Sequence, residues 1–124
     1  MFISFRYPPK FSVSEILATC NEVIREFECS LDSVRSVDPY EVEENSKIVK
    51  TFAEVIKSKG YKPRFIRKMS TSDMNLVGNL LKIPTVAYGP GNPRLSHTDI
   101  ERIKIEDYLS SIEILEQVLL KLGD

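Results

Sequence analysis

The chain has 124 residues, of which 42% are hydrophobic and 28% charged, the proportions of a folded domain rather than a disordered segment. Seventeen Lys and Arg against 18 Asp and Glu leave a net charge of −1, which excludes the basic footprint of a nucleic-acid binder and a polybasic membrane anchor. Two cysteines, Cys20 and Cys29, and one histidine, His97, exclude a disulfide scaffold and most self-contained metal centres, and no apolar run approaches the roughly 20 residues of a membrane span.

In chain order, residues 2–7 alternate as a strand, with Ile3, Phe5 and Tyr7 on one face, and Pro8-Pro9 ends it. Ser12 and Glu15 form a capping-box pattern ahead of a helix over 12–28, whose apolar stripe is Ile16, Leu17, Cys20, Val23, Ile24 and Phe27. Cys20 on that stripe reads as a small buried residue, and Cys29 has acidic Glu28 beside it, which disfavours a thiolate. Residues 31–37 suggest a second strand, and Asp38-Pro39 marks a break. A helix over 43–58 turns Ile48, Val49, Phe52, Val55 and Ile56 inward, and Gly60 suits its C′ position. A short strand is predicted over 62–67. A third helix, capped by Ser72 or Asp73, carries the stripe Met74, Val77, Leu80 and Leu81.

Residues 84–88 read as a buried strand of a mostly parallel sheet. Pro84, Gly89, Pro90, Gly91 and Pro93 then predict a sharply turning loop, where α/β folds place ligands. The last helix, over 105–122, turns Ile105, Tyr108, Leu109, Ile112, Leu115, Leu119 and Leu122 inward. The alternation predicts an α/β fold with two joined pieces.

Two segments carry chemistry. In Met69-Ser-Thr-Ser-Asp-Met-Asn75, small polar residues at a helix start offer N–H groups and hydroxyls to an anion, or act as an ordinary cap. His97, flanked by Ser96 and Thr98 just past the Gly/Pro loop, suits a metal ligand, a general base or a substrate contact. No nucleophile elbow and no P-loop accompany it.

Taken together, Thr71-Ser-Asp-Met-Asn75, Val86-Ala-Tyr-Gly-Pro-Gly91, His97-Thr98 with Glu101, and Phe2-Ile-Ser-Phe-Arg-Tyr-Pro-Pro9 resemble the C-terminal end of M20-family metallo-amidohydrolases. The wording is nearest to members that release lysine or ornithine from an amino-group carrier protein, and to acetylornithine and acetyl-lysine deacetylases. The resemblance implies an incomplete M20-type α/β fold. Residues 1–39 would be the second half of a ferredoxin-like lid or dimerisation domain (β-α-β), and residues 40–124 the C-terminal part of the zinc-peptidase catalytic domain.

It also implies roles. His97 would be one ligand of a zinc or cobalt pair. Thr71, Ser72, Asp73, Asn75, Gly89 and Gly91 would line the substrate pocket, and Arg6 would hold a substrate carboxylate. The basic residues Arg64, Arg67 and Lys68 would face a carrier protein or simply solvent. Ser70, Asn92, Ser96 and Asp99 stand where the family has Gly, Asp, Asp and Pro. The family's other metal ligands and its general base fall outside these motifs, so no catalytic residue is assigned and no metal is expected to be held tightly.

The expected protein is cytoplasmic and part of lysine or arginine biosynthesis. Its expected partners are an amino-acid derivative or carrier protein, and either further copies of itself or a missing N-terminal half. A non-catalytic, self-associating ligand-binding module is the second reading. A small enzyme using His97 with Asp73 or Asp99 is the third.

Overall fold

In a computed structural model the described residues are 1–32, 35–68 and 70–123, and they contain four helices and no strand. The α/β expectation, with its β-α-β lid half, is therefore overturned. Period-2 alternation states which face of a strand would be buried, but a strand exists only where a neighbour accepts its ladder. Residues 2–7, 62–67 and 84–88 make no such ladder, and Phe2, Ile3, Phe5, Phe65 and Ile66 are exposed. The strand expected over 31–37 lies partly outside the described residues, at 33 and 34.

The chain divides into two compact units: Met1–Val42 with Arg67–Thr85, and Glu43–Ile66 with Val86–Asp124.

In the first unit, α1 spans Val13–Ile24 and α3 spans Asp73–Leu81. The capping box of α1 forms as expected. The Ser12 hydroxyl accepts from the Glu15 N–H at 3.3 Å, and the Glu15 carboxylate accepts from the Ser12 N–H at 2.7 Å. The helix stops at Ile24 rather than 28. Glu26 and Glu28 would place negative charge on the negative end of the dipole, and the Phe27 N–H turns back to the Ile24 carbonyl instead. Val23 and Phe27 consequently stay exposed, while Ile16, Leu17, Cys20 and Ile24 are half-buried.

On α3 the buried position is Gly78, with Met74 and Val77 half-buried. Leu80 and Leu81, expected inward, are 76% and 64% exposed. The Tyr40 ring lies where a Cβ on Gly78 would stand, so it covers α3 at Gly78, and Leu80, on the opposite side of the helix, is left bare. Its hydroxyl donates to the Ile83 carbonyl at 3.1 Å and accepts from the Thr85 N–H at 3.0 Å.

The second unit is a helix pair, α2 (Lys47–Ser58) against α4 (Ile105–Gly123). Residues 43–46, expected to be helical, form a turn, with the Ser46 N–H bonded to the Glu43 carbonyl and Ser46 as N-cap. The C-terminal end is as predicted: Gly60 takes φ +82°, its N–H reaches the Lys57 carbonyl, and the Tyr61 N–H reaches Ile56, a Schellman motif.

Val55, Ile114 and Val118 form the core, with Phe52, Ile56 and Leu122 packed around it. Val49, Thr51 and Ser111 are buried too. The two buried hydroxyls are satisfied on their own helices, Thr51 on the Lys47 carbonyl and Ser111 on Tyr108. Lys59–Glu113 at 2.8 Å and Lys121–Glu54 at 3.5 Å bridge the helices at their edges.

The inward face of α4 is therefore Ser111, Ile114 and Val118, not the predicted stripe. Ile105, Tyr108, Leu109, Ile112, Leu115 and Leu119 face away from α2, and of that set only Leu122 joins the core. α4 carries two apolar faces, and the narrower one, with its small serine, is the one that α2 approaches.

Candidate functional site

The sequence-predicted site residues fall in both units. Arg6, Thr71, Ser72, Asp73 and Asn75 lie in the first, and Gly89, Gly91 and His97 in the second.

In the first unit, Arg6, Thr71 and Asp73 are exposed and Ser72 and Asn75 half-buried; Met69 lies outside the described residues. Ser72 is the N-cap of α3, in extended conformation. Both ends of the Asn75 amide are occupied by the protein. Its Oδ1 accepts from the Ser72 N–H at 3.1 Å, and its Nδ2 donates to the Asp38 carbonyl at 3.2 Å. Asn79, one turn on, donates to the carbonyls of Asp38 and Pro39.

The N-terminus of α3 is thus tied to the Asp38-Pro39 break, and Asp73 already places an acid at the positive end of the helix dipole. The Ser72 hydroxyl is buried without a partner. Asp38 in turn accepts from the Tyr7 hydroxyl at 3.3 Å. Removal from solvent, and then the Asp38 charge and hydrogen bond, hold the Tyr7 hydroxyl above its ordinary pKa. Arg67, read as a basic residue facing a carrier protein or solvent, pairs with Glu41 at 2.8 Å.

Sequence reasoning missed Tyr40, Gly78 and Asn79. A mid-helix glycine with an aromatic just past a Pro break is the signal that pointed to them, since a helix interior keeps Gly only where something sits close against it.

In the second unit, residues 92–101 run as a series of turns. Asn92 Oδ1 accepts from the Arg94 N–H at 3.0 Å, and the N–H groups of Leu95, Thr98 and Glu101 close on Asn92, Leu95 and Thr98. Asn92 therefore fills the turn-forming role that an Asp can also fill. Gly91 takes φ +99°, where glycine is required, whereas Gly89 has nothing within 4 Å of a would-be Cβ.

His97 is exposed and sits at φ 64°, in the left-handed region that non-glycine residues seldom adopt. Its N–H donates to Glu101 Oε2 at 3.2 Å. Beside this segment the Tyr88 ring packs on Phe52, centroids 4.8 Å apart, and burial raises the Tyr88 hydroxyl above its ordinary pKa.

Among the described residues no three of His, Cys, Asp or Glu come together as a metal site. One imidazole beside a carboxylate that already holds its own backbone falls short of the three protein ligands a catalytic zinc takes. The residues here do not by themselves fit a metal centre.

Comparison with known proteins finds relatives for most of the chain. The [LysW]-lysine/[LysW]-ornithine hydrolase of Sulfurisphaera tokodaii is 38% identical over 122 residues, covering 93% of this chain and 34% of the relative. The protein of the same name from Saccharolobus islandicus is 38% identical over 107 residues, covering 78% of this chain and 30% of the relative. A Pyrococcus furiosus relative is 42% identical over 92 residues, covering 74% of this chain and 28% of its own length. The chain thus spans about a third or less of the length of these curated relatives. Residues 4–121, nearly the whole chain, match peptidase family M20/M25/M40, and to that family, near its [LysW]-lysine/[LysW]-ornithine hydrolases, this chain belongs.

Proposed function

We propose that this chain is the C-terminal portion of a metal-dependent amidohydrolase that releases lysine or ornithine from a carrier protein, or deacylates their N-acyl forms. Residues 1–39 belong to its lid or dimerisation domain and residues 40–124 to its catalytic domain. The observation that carries the reading is the match of residues 4–121 to the family, with relatives named for that hydrolysis. The left-handed His97 supports it, because strain of this kind persists where surrounding structure and function hold it.

In the larger protein His97 supplies one ligand of a zinc or cobalt site, and Arg6, Thr71, Ser72, Asp73, Asn75, Gly89 and Gly91 meet the substrate. Asn75 also holds the α3 N-terminus. The partners are an amino-acid derivative or an amino-group carrier protein, together with a further polypeptide, either another copy or the family's N-terminal half. The setting is the cytoplasm and amino-acid biosynthesis, and no helix among the described residues is long and apolar enough to cross a membrane.

The isolated chain holds no catalytic site of its own. Elemental analysis after dialysis is expected to find far less than one zinc or cobalt per chain, and an assay for free lysine or ornithine no metal-dependent release. One tightly held equivalent of metal, or release that vanishes in His97→Ala, would overturn the reading and favour a small independent enzyme. Exposed apolar faces on α1, α3 and α4 favour a second reading, a non-catalytic self-associating module.

A further inference from the structure

Asn75, Gly78 and Asn79 stand three and four residues apart, so they share one face of α3. Residues 38–40 are fastened along that face. The Asp38 carbonyl accepts from the side-chain amides of both Asn75 and Asn79, and the Pro39 carbonyl accepts from Asn79 at 3.3 Å. Pro39 brings no N–H of its own, so this stretch presents carbonyls that need donors from elsewhere. The Tyr40 ring fills the notch at Gly78, and its hydroxyl reaches past the helix end to the Ile83 carbonyl and the Thr85 N–H. At the other end the Asp38 carboxylate accepts from the Tyr7 hydroxyl.

Propensity runs against this face. Gly78 and Asn79 are poor helix formers in the interior of a helix of 9 residues. A helix that short is marginal by itself, and what α3 buries is Gly78 rather than an apolar side chain. The contacts with residues 38–40 supply what the sequence of α3 withholds.

We infer that residues 38–40 are a strap on which α3 depends, and that the strap sets the spacing between Arg6, next to Tyr7, and Thr71–Asp73 at the α3 start. Tyr40 and Asn79 are then positioning residues, a role that rests on the reading that Arg6 and Thr71–Asp73 meet the substrate. A substrate gripped at both places is presented at one fixed separation. Releasing the strap at any attachment loosens both ends of α3 together, because the same three residues hold the Asn75 amide at one end and the Thr85 N–H beyond the other.

Amide hydrogen exchange on the isotope-labelled chain tests this without metal or substrate, so the strap can fail while the hydrolase reading stands, and the reverse. Tyr40→Phe removes one hydroxyl. It is expected to speed exchange of its partner, the Thr85 N–H, and also of the Asn75 N–H at the far end of α3, by roughly fivefold, about the worth of one net hydrogen bond. The side-chain amide resonances of Asn75 and Asn79 should shift with it, and should shift in Tyr7→Phe. Asn79→Leu raises helix propensity, so a helix standing by itself would gain protection. A strapped helix should instead lose it, with the Thr85 N–H exchanging faster. The Ile16 N–H in α1 should be unchanged in all three variants. Should a variant unfold the first unit, the wild type decides in low denaturant, where the Asn75 and Thr85 N–H groups should open with one common denaturant dependence. Slower or unchanged Thr85 exchange in Asn79→Leu, effects of Tyr40→Phe confined to Thr85, Asn resonances indifferent to Tyr7→Phe, or separate openings in the wild type would each overturn the strap.

Discussion

Gly78 and Asn75 show how much a single position decides. Gly78 lies inside α3, where glycine ordinarily costs helix stability, and the Tyr40 ring occupies the space a methyl group would need. Gly78→Ala improves helix propensity but must displace an aromatic anchored through its hydroxyl to Ile83 and Thr85. Overpacking dominates, and chemical denaturation should show a net loss of about 1–3 kcal/mol, whereas propensity alone predicts a gain. The sequence reads Asn75 as part of a segment that would line a substrate pocket. Its two amide bonds join Ser72 to Asp38, so it also holds the α3 N-terminus. That could not be read from the motif, because Asp38 lies 37 positions away.

At the scale of elements, local signals were legible and packing faces were not. The Ser12–Glu15 box and the Gly60 C′ position depend on neighbours within four or five residues, and both form as read. The box makes α1 sensitive to acid. Hydrogen bonds from the Ser12 backbone and side chain hold the Glu15 carboxyl below its ordinary value of 4.5. Folding thus favours its charged form. Its contribution is complete above the ordinary value and is lost as pH falls through the lowered, folded-state value. Circular dichroism on acidification should show helix loss at the low end of that window, and Glu15→Gln should flatten this part of the titration. Ser12→Ala, which removes the cap and one of the hydrogen bonds to the Glu15 carboxylate, should cost about 1 kcal/mol at neutral pH and less once Glu15 is protonated. The stripes of α3 and α4, by contrast, were right only in part: Met74 and Val77 are half-buried and Leu122 joins the core, while Leu80, Leu81 and the rest of the α4 stripe stay exposed. Periodicity identifies an apolar face but does not say which of two faces a neighbour covers.

For the whole molecule, stability of the second unit rests on few side chains. Val55 and Val118 are 2% and 1% exposed, and Ile114 completes the cluster. Ile114→Ala should therefore cost about 2–5 kcal/mol in denaturant unfolding, with little collapse available to fill the void.

Composition, caps, the collinear Thr71–Asn75, Gly89–Gly91 and His97 segments, and hence the family, follow from the sequence alone, because each depends on residue type and short spacing. The sequence did not determine the absence of strands among the described residues, the choice of Ser111, Ile114 and Val118 as the buried face of α4, or the commitment of Asn75 to Asp38. Those were decided by tertiary structure. A ladder, a helix face and a long-range hydrogen bond each need a partner distant in sequence, and the periodicity of a segment carries no record of whether that partner is there.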